Sequence, residues 1–123
     1  MFAERWNGSS WLTAPIGTGS GINLFVYGIS CATAQTCMAV GKTFTHGTVE
    51  PTLVEQWNGS SRATVPSPNP PGPGIGTFYG ISCPQVTACW AVGVWETPSA
   101  PGCFIDHVLI EHWNGTAWTI VSP

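Results

Sequence analysis

A tandem repeat constrains this chain more than any other feature of its sequence. The segment Glu4–Trp11 (ERWNGSSW) recurs as Glu55–Arg62 (EQWNGSSR) and again as Glu111–Trp118 (EHWNGTAW). A second unit, Tyr27–Gly41, recurs as Tyr79–Gly93 with the shared pattern Tyr-Gly-Ile-Ser-Cys, five residues, Cys-x-Ala-Val-Gly. The offset between these two copies is 52 residues. A repeat of this length is one supersecondary unit, so the core is expected to form between stacked copies.

Each unit is predicted to form a β-hairpin. Asn-Gly between apolar strands is the strongest short-range hairpin signal, because both residues tolerate the positive φ of a type I′ turn. The flanks in the third copy, Leu109–Trp113 and Trp118–Val121, are rich in residues that favour strands. The Tyr-Gly-Ile-Ser-Cys unit is expected to turn through a polar loop and return as Cys-x-Ala-Val-Gly. One complete repeat is therefore four antiparallel strands: a and b from this unit, c and d from the Trp-Asn-Gly unit.

The predicted fold is all-β, with antiparallel four-stranded blades like those of a β-propeller. Four strands in roughly 50 residues are typical of such blades. Trp90–Trp95 is continuously apolar, and a strand of that kind is expected to be buried on both faces. One domain is predicted, with a c–d half repeat (1–16), a first full repeat (17–68) and a second (69–123). The runner-up is a β-sandwich of the same hairpins.

The two motifs together resemble a known repeat. Ser-Cys-x5-Cys-x-Ala-Val-Gly followed by Glu-x-Trp-Asn-Gly-x-x-Trp is similar to a repeat of predicted secreted proteins from actinobacteria and related soil bacteria. That repeat is regarded as propeller-like and distantly similar to kelch and galactose-oxidase-type blades. The resemblance covers almost the whole chain. It implies a propeller-like fold and export from the cell, and it implies no particular activity.

About two and a half blades do not close a ring. Closed propellers typically use about 4–8 blades, so apolar blade faces are expected to remain open. Several chains could close one ring, chains could stack head to tail, or the chain could be a piece of a longer protein. A heterologous contact that does not close propagates. We expect self-assembly into a homo-oligomer or open polymer, with the surplus hairpin Phe2–Ala14 docking on a neighbour.

The composition excludes several classes of partner. Only 7% of residues are charged and the net charge is −3. Arg5, Lys42 and Arg62 are too scattered to form a basic patch, so nucleic-acid binding is not expected. The apolar runs are too short to span a bilayer, so membrane insertion is not expected. The first residues lack the regions of a signal peptide, so a secreted chain would be the mature form or a fragment.

The cysteines give the clearest chemical signal. Cys31/Cys37 and Cys83/Cys89 each flank a five-residue hairpin loop, and cross-strand disulfides fit this arrangement. A four-cysteine zinc site is the alternative, but its pairs are normally about two to four residues apart. Two disulfides are therefore predicted, with an oxidising, extracellular or cell-surface location. Cys103 is left over, and it is predicted to be a free thiol or an intermolecular bridge.

No catalytic site, metal site or cofactor is expected. His107 and His112 are five residues apart, so on a strand they point to opposite faces, and the third histidine is His46. His112 also occupies a variable slot, which is typical of an exposed position. Ser30 and Ser82 lack the glycine and the strand-to-helix context of a hydrolase nucleophile.

The repeated carboxylates have a structural interpretation. Glu4, Glu55 and Glu111 recur once per repeat, two residues before the tryptophan. Because a residue present in every copy more often stabilises the copy than catalyses, we expect them to accept backbone or indole N–H bonds. The other acids have no internal reason to converge: Glu50, Glu96 and Asp106.

The aromatic residues fall into two groups. Those that recur in register are expected in the core: Trp6, Trp57, Trp113, Tyr27 and Tyr79. Those that the repeat does not demand are candidate sugar platforms: Trp11, Trp90, Trp95 and Trp118. Trp11 and Trp118 share a slot with Arg62, which indicates a partly exposed position. Such rings among neutral hydrogen-bonding residues suit carbohydrate.

Two functions follow from this sequence. The first is a non-catalytic structural protein that self-assembles at the cell surface or in an extracellular structure. The alternative is a lectin-like, carbohydrate-binding module that completes a propeller by oligomerisation. The low charge and the incomplete ring favour the structural function. The Pro66–Pro73 stretch is expected to be a stiff, exposed connection between strands d and a.

Overall fold

The computed structural model describes residues 3–14, 23–44 and 51–121. Within these ranges the chain forms β-strands and no helix, and so no helix that could cross a membrane. In chain order the strands are β1 (Ala3–Trp6), β2 (Trp11–Ala14), β3 (Asn23–Thr33), β4 (Thr36–Phe44), β5 (Thr52–Trp57), β6 (Arg62–Thr64), β7 (Ile75–Gln85), β8 (Ala88–Ala100), β9 (Cys103–Trp113) and β10 (Trp118–Ile120).

The strands form two four-stranded antiparallel sheets and one separate hairpin. The first sheet has the order β3-β4-β5-β6, the second has the order β7-β8-β9-β10, and β1 pairs with β2. Every strand of a sheet pairs with the next one along the chain, as the strand order c–d, a–b–c–d, a–b–c–d predicts. The all-β, antiparallel prediction is confirmed. The described strands do not close into a barrel or a ring.

The Trp-Asn-Gly turns differ from the predicted type I′ geometry. In the third copy the paired strands end at Trp113 and Trp118, which leaves a four-residue loop. Gly115 has a φ of 101°, whereas Asn114 has no positive φ. The Asn114 Oδ1 atom instead accepts hydrogen bonds from the backbone N–H groups two and three residues later, both at 2.9 Å. The type I′ prediction is wrong because asparagine contributes a side-chain acceptor and only glycine takes the left-handed conformation.

A β-bulge lies at the repeated tyrosine of each long hairpin. The register shifts at Tyr27 in the first sheet and at Tyr79 in the second. The strand opposite each bulge carries the glycine of the Cys-x-Ala-Val-Gly pattern. A Cβ atom added at Gly93 would overlap the carbonyl oxygen of Thr77, and Gly41 is enclosed in the same way. Close backbone approach at the bulge therefore explains the repeated glycine.

The two four-stranded sheets pack face to face, and the two contacting faces are not equivalent. Side chains alternate along a strand, so each sheet has two faces. We call the face that carries Met38 and Val40, or their counterparts, the front face. The back face carries Ala91 and Leu109, or their counterparts. The front of the first sheet packs on the back of the second, and one cluster joins them: Met38, Val40, Val54, Phe78, Cys83, Cys89, Ala91, Leu109, Trp113 and Trp118.

The proline-rich connection joins β6 to β7 and is anchored at two points. The Ser67 Oγ atom lies 2.7 Å from Oγ1 of Thr52. The backbone N–H of Thr52 donates to Oδ1 of Asn69 at 3.2 Å. Thr52 is buried at the start of β5, whereas Pro66 and Pro68 are exposed. The connection is thus exposed along its prolines, as predicted, but fixed to the first sheet by its polar residues.

Candidate functional site

The front face of the second sheet is an open apolar surface. In the first sheet the front-face residues Met38 and Val40 are 2% and 0% exposed, because the second sheet covers them. Their counterparts Trp90 and Val92, at an offset of 52 residues, are 44% and 48% exposed. Val108 of the neighbouring strand β9 lies on the same face and is also exposed. The positions that form the core in one copy therefore form the surface in the next.

The back face of the first sheet is open along β3, whereas Leu53 and Glu55 of β5, on the same face, are buried. Ile81 of the second sheet packs against the buried cluster. Its counterpart Ile29 is 64% exposed. Likewise Cys83 is buried while its counterpart Cys31 is exposed. The chain thus carries an uncovered copy of the front surface of its own core and, along β3, an uncovered part of the back surface.

Polar and aromatic contacts also mark the junction between the sheets. The backbone N–H of Cys83 donates to Oγ of Ser30 at 2.9 Å. The rings of Tyr27 and Tyr79 lie 5.5 Å apart, inclined by 46°. The counterpart of Ser30 is Ser82, which is exposed on the open front face. These groups can align two sheets and bury apolar surface.

Trp90 does not stand alone on the open face. Its ring contacts the imidazole of His112, with centroids 4.4 Å apart and planes inclined by 45°. His112 is therefore half-buried, not the exposed polar position that its variable slot indicated. His107 lies further along β9, where its Nε2 atom is 2.9 Å from Oγ1 of Thr97.

The repeated carboxylates have different environments, and among the described residues no backbone or indole N–H group donates to Glu55 or Glu111. Glu55 is buried, its Oε2 atom lies 2.7 Å from Nε of Arg62, and its Oε1 atom accepts a bond from Thr64. Glu111 is buried, and neither of its oxygens has a hydrogen-bonding partner among the described residues. Burial raises the pKa of Glu111 to about 8. Glu4, in the isolated hairpin, is exposed.

Register explains the loss of partners at Glu111. In the first sheet Glu55 lies opposite Thr64, and the next pair on the same face is Trp57 with Arg62. In the second sheet Glu111 lies opposite Ile120, and the next pair on that face has Trp118 where the first has the arginine. The threonine hydroxyl is therefore replaced by an aliphatic side chain, and the guanidinium by an indole whose N–H has no partner among the described residues. The third copy keeps the repeated glutamate, but among the described residues nothing donates a hydrogen bond to its carboxylate.

Both predicted disulfides are present. Cys31 is bonded to Cys37 and Cys83 to Cys89, each across the loop of an a–b hairpin. Two such bonds indicate an oxidising environment. Cys103 is a free, exposed thiol near the tip of the β8–β9 hairpin. Its use as an intermolecular link stays a prediction.

The four candidate platform tryptophans do not come together. Trp95 and Trp118 are only 3% and 4% exposed, so neither ring is open to a sugar, and the expected partial exposure of Trp118 is wrong. Trp90 lies on the opposite, open face of the same sheet. Trp11 is exposed in the separate β1–β2 hairpin, where it contacts Trp6. Burial of Trp118 follows from packing against the first sheet, which the hairpin of Trp11 does not share.

The repeated aromatic residues are not all in the core. Trp113 is buried and donates its indole N–H to the carbonyl of Val86 at 3.2 Å. Trp57 is half-buried, and Trp6 is exposed. Tyr27 and Tyr79 are also exposed, although they contact each other. The expectation of a core position is therefore wrong for both tyrosines, because a bulge turns them out of the regular alternation.

Among residues 3–14, 23–44 and 51–121, no group of three or more His, Cys, Asp or Glu side chains is placed to hold a metal ion. His46 and Glu50, two of the residues considered from the sequence, lie outside the described residues. So does the predicted boundary between residues 16 and 17. The expectation that the surplus hairpin docks on a neighbour stays a prediction.

Sequence reasoning missed the open faces themselves. The repeat predicts that blade faces are uncovered, but not which face of which sheet. A signal was present, because Trp90 stands where the first copy has Met38, a change that enlarges the apolar surface. Searches against family models, curated proteins and solved structures returned no match.

Proposed function

We propose that this chain is a non-catalytic, self-associating β-repeat protein of the cell surface or of an extracellular assembly. One observation carries the proposal: front-face positions that are buried at Met38 and Val40 are open at Trp90 and Val92. Large exposed apolar patches on soluble proteins mark interaction sites. A surface that matches one already buried inside the same chain is best satisfied by another copy.

The remaining features agree with this function. Front-to-back stacking of four-stranded meanders supports a propeller-like arrangement in which each blade covers the next. Two disulfides suit an exported protein, since such bonds persist in oxidising compartments. The low charge, 7% of residues, leaves little repulsion between copies. Homo-oligomers of few chains and open polymers are both consistent with the proposal.

The lectin-like alternative has less support. Of its four platform residues, Trp95 and Trp118 are buried. Trp90 contacts His112 on the open face, which leaves Trp11 in a separate hairpin. Self-association accounts for Trp90 and Val92 together, whereas carbohydrate binding accounts for the tryptophan alone. A glycan array with wild type and Trp90→Ala would revive the alternative if it showed saturable binding that the variant loses.

The native mass of the chain tests the proposal. Size-exclusion chromatography with light scattering should give species well above the 13.0 kDa of one chain. The run should be repeated without reductant on Cys103→Ser, because the variant removes the free thiol and keeps both disulfides. A single-chain mass at every concentration would contradict the proposed function.

A further inference from the structure

We infer that the front face of β7–β8 binds the back face of β3–β4 in a second copy of this chain. This inference rests on the proposed function and names the surfaces that carry it. The contact is heterologous, since a different face of each copy takes part. It repeats between chains the packing that already joins the two sheets within one chain. The open front face of one copy is therefore covered by the open back face of another copy.

The packing within the chain supplies the template for the contact. Inside the chain Val40 of the first sheet packs in one cluster with Cys83 and Ala91 of the second. A shift of one repeat replaces Val40 by Val92, and replaces the two partners by Cys31 and Ala39. Val92 and Cys31 are exposed. The same shift brings Trp90, the counterpart of Met38, to the partner's surface.

A hydrogen bond fixes the register of this contact. Within the chain, Ser30 accepts a bond from the N–H of Cys83 at 2.9 Å. Between chains, the exposed Ser82 occupies the place of Ser30, and the Cys31 N–H of the second copy occupies the place of Cys83. Tyr79 meets Tyr27 of the second copy in the same way, as the two rings already do within the chain.

The glycines at the bulges show that the open face is shaped for close approach. A Cβ atom added at Gly28 would lie 3.3 Å from the Cα of Gly80 and 3.4 Å from the carbonyl oxygen of Tyr79. The two sheets thus approach closely where both strands lack a side chain. A Cβ atom added at Gly80 would meet only Cγ2 of Val92, at 3.6 Å. Gly80 therefore has space within its own chain, and the inferred contact uses it.

The heterologous character of the contact determines which assemblies can form. Because each chain has one open front face and one back face that is open along β3, a bound pair still has one of each. The contact therefore continues head to tail until it closes a ring or extends as a polymer. An isologous contact would instead stop at a dimer.

Three lysine variants test the inference in the full chain. Val92→Lys places a charge on the front face, and Ile29→Lys places one on the back face. Val86→Lys is the matched control, because Val86 is 44% exposed against 48% for Val92. The counterpart of Val86 is Ala34, which is exposed in the first sheet, so this position lies outside the contact. Circular dichroism and urea unfolding check that each variant folds.

The expected results follow from an unpaired charge at a buried contact. Val92→Lys and Ile29→Lys should each weaken self-association by at least ~100-fold, and Val86→Lys should associate like wild type. An equimolar mixture of the two weakened variants should form a heterodimer that goes no further, since only one intact face of each remains. Gly80→Ala gives a second, gentler test, because it should weaken association without changing the urea midpoint of the single chain.

Other results separate the inference from the function on which it rests. A wild-type chain that never associates would overturn both. If the wild type associated and Val92→Lys reduced that association no more than Val86→Lys does, the inference would be overturned and the proposed function would stand. If Val92→Lys abolished association and Ile29→Lys left it unchanged, the contact would be front to front. That result would also overturn the inference.

Discussion

At the scale of single residues, the three copies of the repeated glutamate show how one position acquires different chemistry. Glu55 has an arginine and a threonine as partners, and burial of its charge is thereby compensated. Glu111 is equally buried but faces Ile120 and has no partner among the described residues. Its carboxyl group is therefore expected to be neutral below a pH of about 8. The change of two neighbours, not of the residue itself, accounts for the difference.

This environment predicts that stability falls as pH rises. Burial raises the pKa of Glu111 from 4.5 to about 8, so between these values the folded chain holds a proton that the unfolded chain has lost. The contribution of Glu111 to the free energy of unfolding should then decrease by about 1.4 kcal/mol for each pH unit in that window. Urea unfolding at several pH values measures this.

The matched variant is Glu111→Gln, which keeps the shape and cannot ionise. Its free energy of unfolding should lack the Glu111 contribution to the pH dependence, and above pH 8 it should be more stable than wild type. Ile120→Thr should reduce the slope, because it supplies a hydroxyl donor like that of Thr64 at Glu55. Equal pH dependence in wild type and Glu111→Gln would show that Glu111 is not buried as described.

At the scale of strands and turns, the hairpins depend on one side-chain acceptor and one glycine in each loop. Asn114→Ala should destabilise the chain by about 1–2 kcal/mol, because two backbone N–H groups lose their acceptor. Asn7→Ala removes the same bonds from the β1–β2 hairpin. That hairpin contributes no residue to the buried cluster, so its global effect should be smaller. Urea midpoints compare the two, and equal losses would contradict the separate status of β1–β2.

The bulge makes a second prediction at this scale. Gly93→Ala should cost about 2 kcal/mol or more, because the added methyl group overlaps the carbonyl oxygen of Thr77. Gly80→Ala, with open space around its Cα, should change stability by less than about 0.5 kcal/mol. Thermal unfolding of the two variants in dilute solution checks this. A similar loss in both variants would show that a general glycine-to-alanine effect in strands, and not the bulge, determines the loss of stability.

These elements also show what the sequence could and could not predict. Hairpins, strand order and both disulfides depend on neighbours a few residues away, so Asn-Gly and the Cys-x5-Cys spacing suffice for them. Burial depends on which sheet lies opposite. Trp11 and Trp118 occupy the same slot of the repeat, yet one is exposed and the other buried. The prediction of a type I′ turn is wrong for a different reason, since Asn-Gly alone does not reveal where the flanking strands stop pairing.

At the scale of the whole molecule, two equivalent sheets meet through inequivalent faces. The chain therefore buries the front face of the first sheet against the back face of the second, and it leaves open the front face of the second sheet and the β3 part of the back face of the first. The site is accordingly not a pocket but a surface, with Trp90 and Val92 on one side and Ile29 on the other. The same physical chemistry that builds the core, apolar burial with one aligning hydrogen bond, accounts for the proposed assembly. No catalytic group is required for that function.

The native mass of the wild-type chain over a series of concentrations, by sedimentation equilibrium, tests this account most directly. We expect the mean mass to rise with concentration beyond that of a dimer. It should then either level off at the mass of a closed ring or continue to increase. The mass of Val92→Lys should stay at 13.0 kDa over the same range. A wild-type mass that remains that of one chain throughout would contradict the central claim that the open faces bind each other.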